Sequence, residues 1–143
     1  MATRQTTSRK KVSPNAPKDA IALLTEDHQR VRRLLTELEQ TTEKTATKRQ
    51  KLLATIEQEL RVHTRIEEEV FYPAFFDAAR TEQDKEMYYE SIEEHHVVDL
   101  VLPDITRADP ASAPFAAKAK VLKDLVEHHA EEEEKQMFPA RAG

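Results

Sequence analysis

The sequence has no cysteine and no tryptophan, and its single glycine is the last residue, Gly143. Each absence removes a class of function. Without cysteine there is no disulfide framework, zinc ribbon, iron–sulfur cluster or thiol nucleophile. Without an internal glycine there is no G-x-G-x-x-G turn and no P-loop, because both need glycine where backbone closes on phosphate. An all-β sandwich or barrel is disfavoured on the same ground, since its tight turns draw on glycine at positive φ. Long apolar runs are missing too. The first cluster runs only from Ile21 to Leu24, short of the roughly 7–15 residues of a secretory core and the roughly 20 of a membrane span. The chain is therefore expected to be cytoplasmic, with no membrane contact.

What is present favours helix. Charged residues make up 34% of the chain and hydrophobic ones 38%, a mixture suited to amphipathic helices around one core, and 143 residues are enough for that core to be stable without staples. The charge is unevenly placed. Residues 1–18 hold Arg4, Arg9, Lys10, Lys11 and Lys18, no acid, and Pro14 and Pro17. This polar stretch predicts a disordered basic tail whose partner the sequence leaves open. All 27 acids fall in the remainder, so no nucleic-acid footprint is expected for the body.

Helical periodicity marks four segments, about residues 19–40, 45–72, 82–107 and 115–137. Ile21, Leu24, Val31, Leu34, Leu35 and Leu38 form the stripe of the first, and Leu53, Ile56 and Leu60 that of the second. Ile92, Val98, Val101, Leu102 and Ile105 mark the third, and Leu122, Leu125 and Val126 the fourth. Pro73 is expected to end or kink the second segment, with a short apolar piece at 74–79 after it. Pro103 is expected to kink or shorten the third, and Pro139 to close the fourth. Short connections favour antiparallel neighbours, so the predicted fold is all-α, an up-down-up-down four-helix bundle over residues 19–140.

The halves repeat one another. His28 and His95 are each followed by apolar residues at +3, +6, +7 and +10. His63 and His129 are each followed by Glu at +4 (Glu67, Glu133) and Pro at +10 (Pro73, Pro139). Two copies of one helix pair, related by a pseudo-twofold axis, explain this.

The repeated polar residues lie on the apolar stripes. His63 and Glu67 continue the face of Leu53, Ile56 and Leu60, and His129 and Glu133 continue that of Leu122 and Val126. His28 sits between Leu24 and Val31, and His95 between Ile92 and Val98. Two core carboxylates need compensation, and neutral imidazoles at the same depth do not supply it. A pair of divalent cations would, using all four rings as well. A lone core histidine is more often structural, but four of them with two matched glutamates point to metal. His96 and His128 flank the inward stripes and are weaker candidates, as are Asp99, four residues after His95, and Tyr88, two turns before it. Glu67-Glu68-Glu69 and residues 131–134 read mainly as solvated faces, with Glu67 and Glu133 alone turned inward. Phe71, Phe75, Phe76 and Phe138 read as core.

The arrangement of His28, His63-x-x-x-Glu67-Glu68 running into Phe71-Tyr72-Pro73, Glu94-His95, and His129-x-x-x-Glu133-Glu134 running into Phe138-Pro139 resembles the hemerythrin-like HHE cation-binding domain. The resemblance implies a bundle holding an oxo- or hydroxo-bridged non-haem di-iron centre. His28, His63, His95 and His129 would be terminal ligands, and Glu67 and Glu133 bridges or chelates; manganese or zinc could take the same site. The oxygen carriers of that family have a fifth histidine where this chain has Asp99. The resemblance therefore implies a protein that binds or senses O2, NO or peroxide at an open metal position. The alternatives are a catalase-like or NO-reducing enzyme and an iron storage or repair protein.

Overall fold

The computed structural model describes residues 16–142; the predicted tail falls, over residues 1–15, outside them. The described residues form helices and short turns, with no strand among them. Helix α1 is Ala16–Gln40, beginning a little ahead of the expected start near Asp19. A short 3₁₀ turn, Glu43–Thr45, leads into α2, Ala46–Ile66. Then come α3 (Tyr72–Ala78), α4 (Glu82–Arg107), α5 (Ala113–Glu132) and α6 (Phe138–Ala142). Helix α1 packs on α2 and α5, and α4 packs on α5 and α2, the ring expected of an up-down-up-down bundle. No described helix is long and apolar enough to cross a membrane.

Helix starts follow from local chemistry. Thr81 Oγ1 accepts from the Asp84 amide at 3.1 Å at the head of α4. Ser112 Oγ accepts from the Phe115 amide at 3.3 Å at the head of α5, where Pro114 falls in the first turn and its missing N–H costs nothing.

The other prolines do not stop the chain as expected. Glu67–Phe71 and Glu133–Met137 are π turns, in which the amides of Tyr72 and Phe138 donate to the carbonyls of Glu67 and Glu133. Each wider turn shifts the hydrogen-bond register by one residue. Pro73 and Pro139 then fall in the first turn of the resumed helices α3 and α6, where the lost donor is tolerated. Pro103 lies within α4, which continues to Arg107 with the ring on its exposed side.

The core has two apolar ends with a polar layer between them. Leu35, Leu38, Ile56, Ile105, Phe115 and Leu122 fill one end. Leu24, Phe71, Tyr72, Phe75, Met137 and Phe138 fill the other. The first end is closed by Arg49, only 4% exposed. Its Nε donates to Thr41 Oγ1 at 3.0 Å, Nη2 to the Thr41 carbonyl at 3.2 Å and Nη1 to the Pro110 carbonyl at 2.7 Å. The guanidinium lies 5.3 Å from the Phe115 ring centroid. One side chain thus ties the α1–α2 connection to the α4–α5 connection. Arg49→Lys keeps the charge but loses the fork. It should lower the urea unfolding free energy by about 1–3 kcal/mol, with metal content per chain unchanged.

Candidate metal centre

Between the two apolar ends, each long helix contributes a histidine: His28 from α1, His63 from α2, His95 from α4 and His129 from α5. The first residue of each π turn adds a glutamate, and Glu67 and Glu133 are both 0% exposed. The structure brings together all six residues that the spacing singled out. The rings meet in two pairs, His28 Nε2 to His63 Nε2 at 3.1 Å and His95 Nε2 to His129 Nε2 at 3.0 Å. Glu67 Oε1 lies 2.6 Å from His63 Nε2 and 3.5 Å from His95 Nε2. Glu133 Oε1 lies 3.1 Å from His129 Nε2 and 3.2 Å from His28 Nε2. Each carboxylate therefore faces a ring of its own helix and a ring of the opposite pair. The donors sort into two overlapping groups, His28, His63, Glu67 and Glu133, and Glu67, His95 and His129.

The far side of every ring also meets a carboxylate. Asp27 Oδ2 is 3.2 Å from His63 Nδ1, and Glu134 Oε1 is 3.1 Å from His28 Nδ1. Glu68 Oε1 and Glu94 Oε1 stand 3.4 Å from the Nδ1 atoms of His95 and His129. An ionised carboxylate can only accept, so the rings facing Asp27 and Glu134 carry their hydrogens on Nδ1 and, when neutral, present lone pairs at Nε2. Those lone pairs converge on carboxylate oxygens that lack hydrogen bonds of their own: both oxygens of Glu67 and Oε1 of Glu133 are buried without a hydrogen-bonded partner. The short N···O approaches lack hydrogen-bond alignment; the atoms aim at shared points between them. Cations at those points would satisfy the anions and the imidazoles together.

The buried charges also shift the titration of the groups that face them. Burial would lower the pKa of His63, but Glu67 and Asp27 outweigh it and raise it. Burial and the neighbouring His63 lower that of His28. Burial alone would raise the Glu67 carboxyl, yet His63 and His95 hold it far below the usual range. The group stays anionic and needs a positive partner.

The outer carboxylates follow the repeat. Asp27 and Glu94 each precede a ring on their own helix but serve the ring of the next one. Glu68 and Glu134 each follow a buried glutamate and serve a ring across the bundle. Of those acidic runs only Glu67 and Glu133 are buried, as expected; Glu68 is exposed and Glu134 half-buried, yet each reaches the back of a ring from the surface. Arg32 clamps Glu134 through two hydrogen bonds of 2.8 and 3.1 Å.

Sequence reasoning missed Tyr72. Its buried hydroxyl lies 3.0 Å from His95 Nε2, His129 Nε2 and Glu133 Oε2, donating to the last. Burial and then the Glu67 carboxylate push the phenol far up, so it stays neutral. Strict 3.6-residue periodicity turns Phe71 inward and Tyr72 aside, whereas the π turn brings both in. The available signal was the bulky pair before proline in both halves, Phe71-Tyr72 and Met137-Phe138. The counterpart of Tyr72 is Phe138, whose ring stacks on His28 with centroids 5.7 Å apart. The centre is thus asymmetric.

The weaker candidates lie elsewhere. Tyr88 packs edge-on against Tyr72, centroids 6.3 Å apart. His96 and Asp99 are exposed. His128 is exposed and pairs with Glu132 at 3.3 Å. Glu132 is pushed up to about 7 by burial and by the adjacent Glu94. A cavity of about 30 Å³ abuts the centre, walled by Val31, Leu60, Val98 and Val126, one from each long helix.

An antiparallel bundle with histidine and glutamate donors converging at mid-height defines a cation-binding helical protein. The profile described as hemerythrin HHE cation binding domain matches residues 19–140, and the chain belongs to that family. A protein named DNA nickase from Nostoc sp. (strain PCC 7120 / SAG 25.82 / UTEX 2576) is 32% identical over 117 residues, 80% of this chain. The match covers 31% of that protein's length. No solved structure matches the chain.

The buried carboxylates give a direct test. Glu67→Gln preserves shape but removes the shared anion. Zinc or iron added to the wild-type protein at 100 times its dissociation constant should stabilise it by about 2.7 kcal/mol. In the variant most of that gain should vanish, while the metal-free protein unfolds at the same or higher urea concentration.

Proposed function

We propose that the centre holds two iron ions and that the domain binds or senses a small ligand, O2, NO or peroxide, beside them. The observation that carries this reading is the sharing of Glu67 and Glu133 between two histidine pairs, which makes one site of two overlapping donor sets. His28 and His63 would hold one ion and His95 and His129 the other, with the glutamates shared. Mixed imidazole and carboxylate donors suit iron, and manganese or zinc could substitute. When bound, the iron pair supplies electrons and an open position for the ligand.

The remaining residues set the conditions. Asp27 and Glu134 fix the orientation of His63 and His28 from behind and keep Nε2 turned inward, while Glu68 and Glu94 stand 3.4 Å behind His95 and His129. Tyr72 holds a proton at Glu133 Oε2, within reach of the His95–His129 pair, and can offer it as a hydrogen bond. The aliphatic collar excludes water and favours small, weakly hydrated ligands. The cavity has room for a ligand of about two heavy atoms. A catalase-like or NO-reducing activity, or iron storage and repair, are the rival outcomes at the same residues. We assign no DNA-cleaving role to the bundle. The relative named a DNA nickase is mostly sequence beyond this match, and the acidic body opposes a phosphate backbone.

The test is anaerobic loading with Fe(II), metal analysis and optical titration. Two irons per chain and a reversible spectral change on adding O2 or NO are expected. Steady O2 release from peroxide would assign an enzyme, and failure to take up iron would overturn the reading. Val98→Leu narrows the collar. It should slow the optical response several-fold and leave iron content unchanged; equal rates would show that ligand enters elsewhere.

A further inference from the structure

Beside the buried centre, α5 carries a second His–Glu pair one turn apart. His128 Nε2 lies 3.3 Å from Glu132 Oε1. Glu94 reaches across from α4, so that one donor atom from each of the three residues lies within 4.8 Å of the others. The side chains pass from solvent into the α4–α5 seam, His128 at 65% exposed, Glu132 at 28% and Glu94 at 21%.

Three observations set this group apart from an ordinary solvated helix face. Charge balance is the first. Of the four carboxylates behind the rings, Asp27 pairs with Arg30 at 3.3 Å and Glu134 with Arg32 at 2.8 Å. Among the described residues neither Glu94 nor Glu132 pairs with a lysine or arginine, and the two acids face each other with one imidazole. Satisfaction is the second: Glu94 Oε1, 3.4 Å from His129 Nδ1, is buried without a hydrogen-bonded partner. The third is the repeat. The residues matching His128 and Glu132 in the first half are Val62 and Ile66, so bundle packing does not require a polar pair there.

We propose that Glu94, His128 and Glu132 form a third cation site, for a divalent first-row transition ion, at the solvent edge of the buried centre. The donor set is two carboxylates and one imidazole, with water completing the shell, as suits such an ion at an open position. Exposure and few protein ligands make it weaker than the buried centre. Glu94 faces this site and His129 together, so the site adjoins the inner donors on the solvent side. Its role is to stage incoming ions, and that role rests on the two-ion reading of the centre.

The double variant His128→Asn with Glu132→Gln tests the site on the full chain, with Zn2+ as probe in equilibrium dialysis and helicity as the control for folding. Wild type should bind one weak ion more than the variant. Equal stoichiometry would overturn the site. The number of tight ions left in the variant reports separately on the buried centre: two supports that reading, and fewer than two defeats it without touching the outer difference. Filling of the centre by Co2+, followed optically, should slow about tenfold in the variant with the same end point. An unchanged rate would remove the staging role.

Discussion

Two carboxylates at the centre of an apolar bundle set the terms for the rest of the structure. Glu67 and Glu133 are fully buried, and an anion in that setting must be compensated or give way to its protonated form. The compensation comes in shells. Four imidazoles face the carboxylates, four outer carboxylates stand behind those imidazoles, and Arg30 and Arg32 neutralise two of the outer four. The apolar ends above and below keep water out. Charge therefore alternates from the inside outward, and the one sign missing at the innermost point is positive. Membership of a family of cation-binding domains accords with that missing charge.

The pseudo-twofold repeat builds the frame, and departures from it make the two halves chemically different. His28 and His63 lie beside Phe138, a ring with no donor, and behind them stand the arginine-clamped Asp27 and Glu134. His95 and His129 lie beside the Tyr72 hydroxyl, and behind them stand Glu68 and Glu94, which no described arginine clamps. The first half is electrostatically closed. The second offers a proton donor inside and an unsatisfied carboxylate outside. Two ions held here would not be equivalent, and chemistry that treats them differently would use the second half.

What could be read in the sequence divides along physical lines. The four stripes and the paired His–Glu spacing were legible, because helical periodicity places side chains on a face within one helix. Interactions that cross helices were not. Asp27 serves His63, Glu134 serves His28, and Arg49 joins two connections distant in sequence; none of these leaves a periodic mark. The π turns were misread for another reason. Proline is a helix breaker when the register is i→i−4, and Pro73 and Pro139 looked like stops. With the register shifted by one residue they sit in a tolerated first turn, and that same shift carries Tyr72 inward. One local rule, applied with the wrong period, hid both the continuity of the helices and a residue at the centre.

The position of Asp99 bears on what such a centre could do. The resemblance read from the sequence implies a fifth imidazole there in the oxygen carriers. Here α4 turns Asp99 to solvent, and the inner face of the same half is approached instead by Tyr72 from the opposite element. A fifth imidazole is a lone-pair donor that fills a coordination position. A neutral phenol whose pKa is pushed up by burial is a poor lone-pair donor and a good hydrogen-bond donor, and it already gives its proton to Glu133. With one in place of the other, a bound ion would have one protein ligand fewer and a proton donor near it. The apolar collar opens onto the same donors, and Tyr72 is not among its lining residues. Under the proposed reading, ligand access and proton supply would come from different directions, so that a bound ligand could be held on one side and polarised from the other.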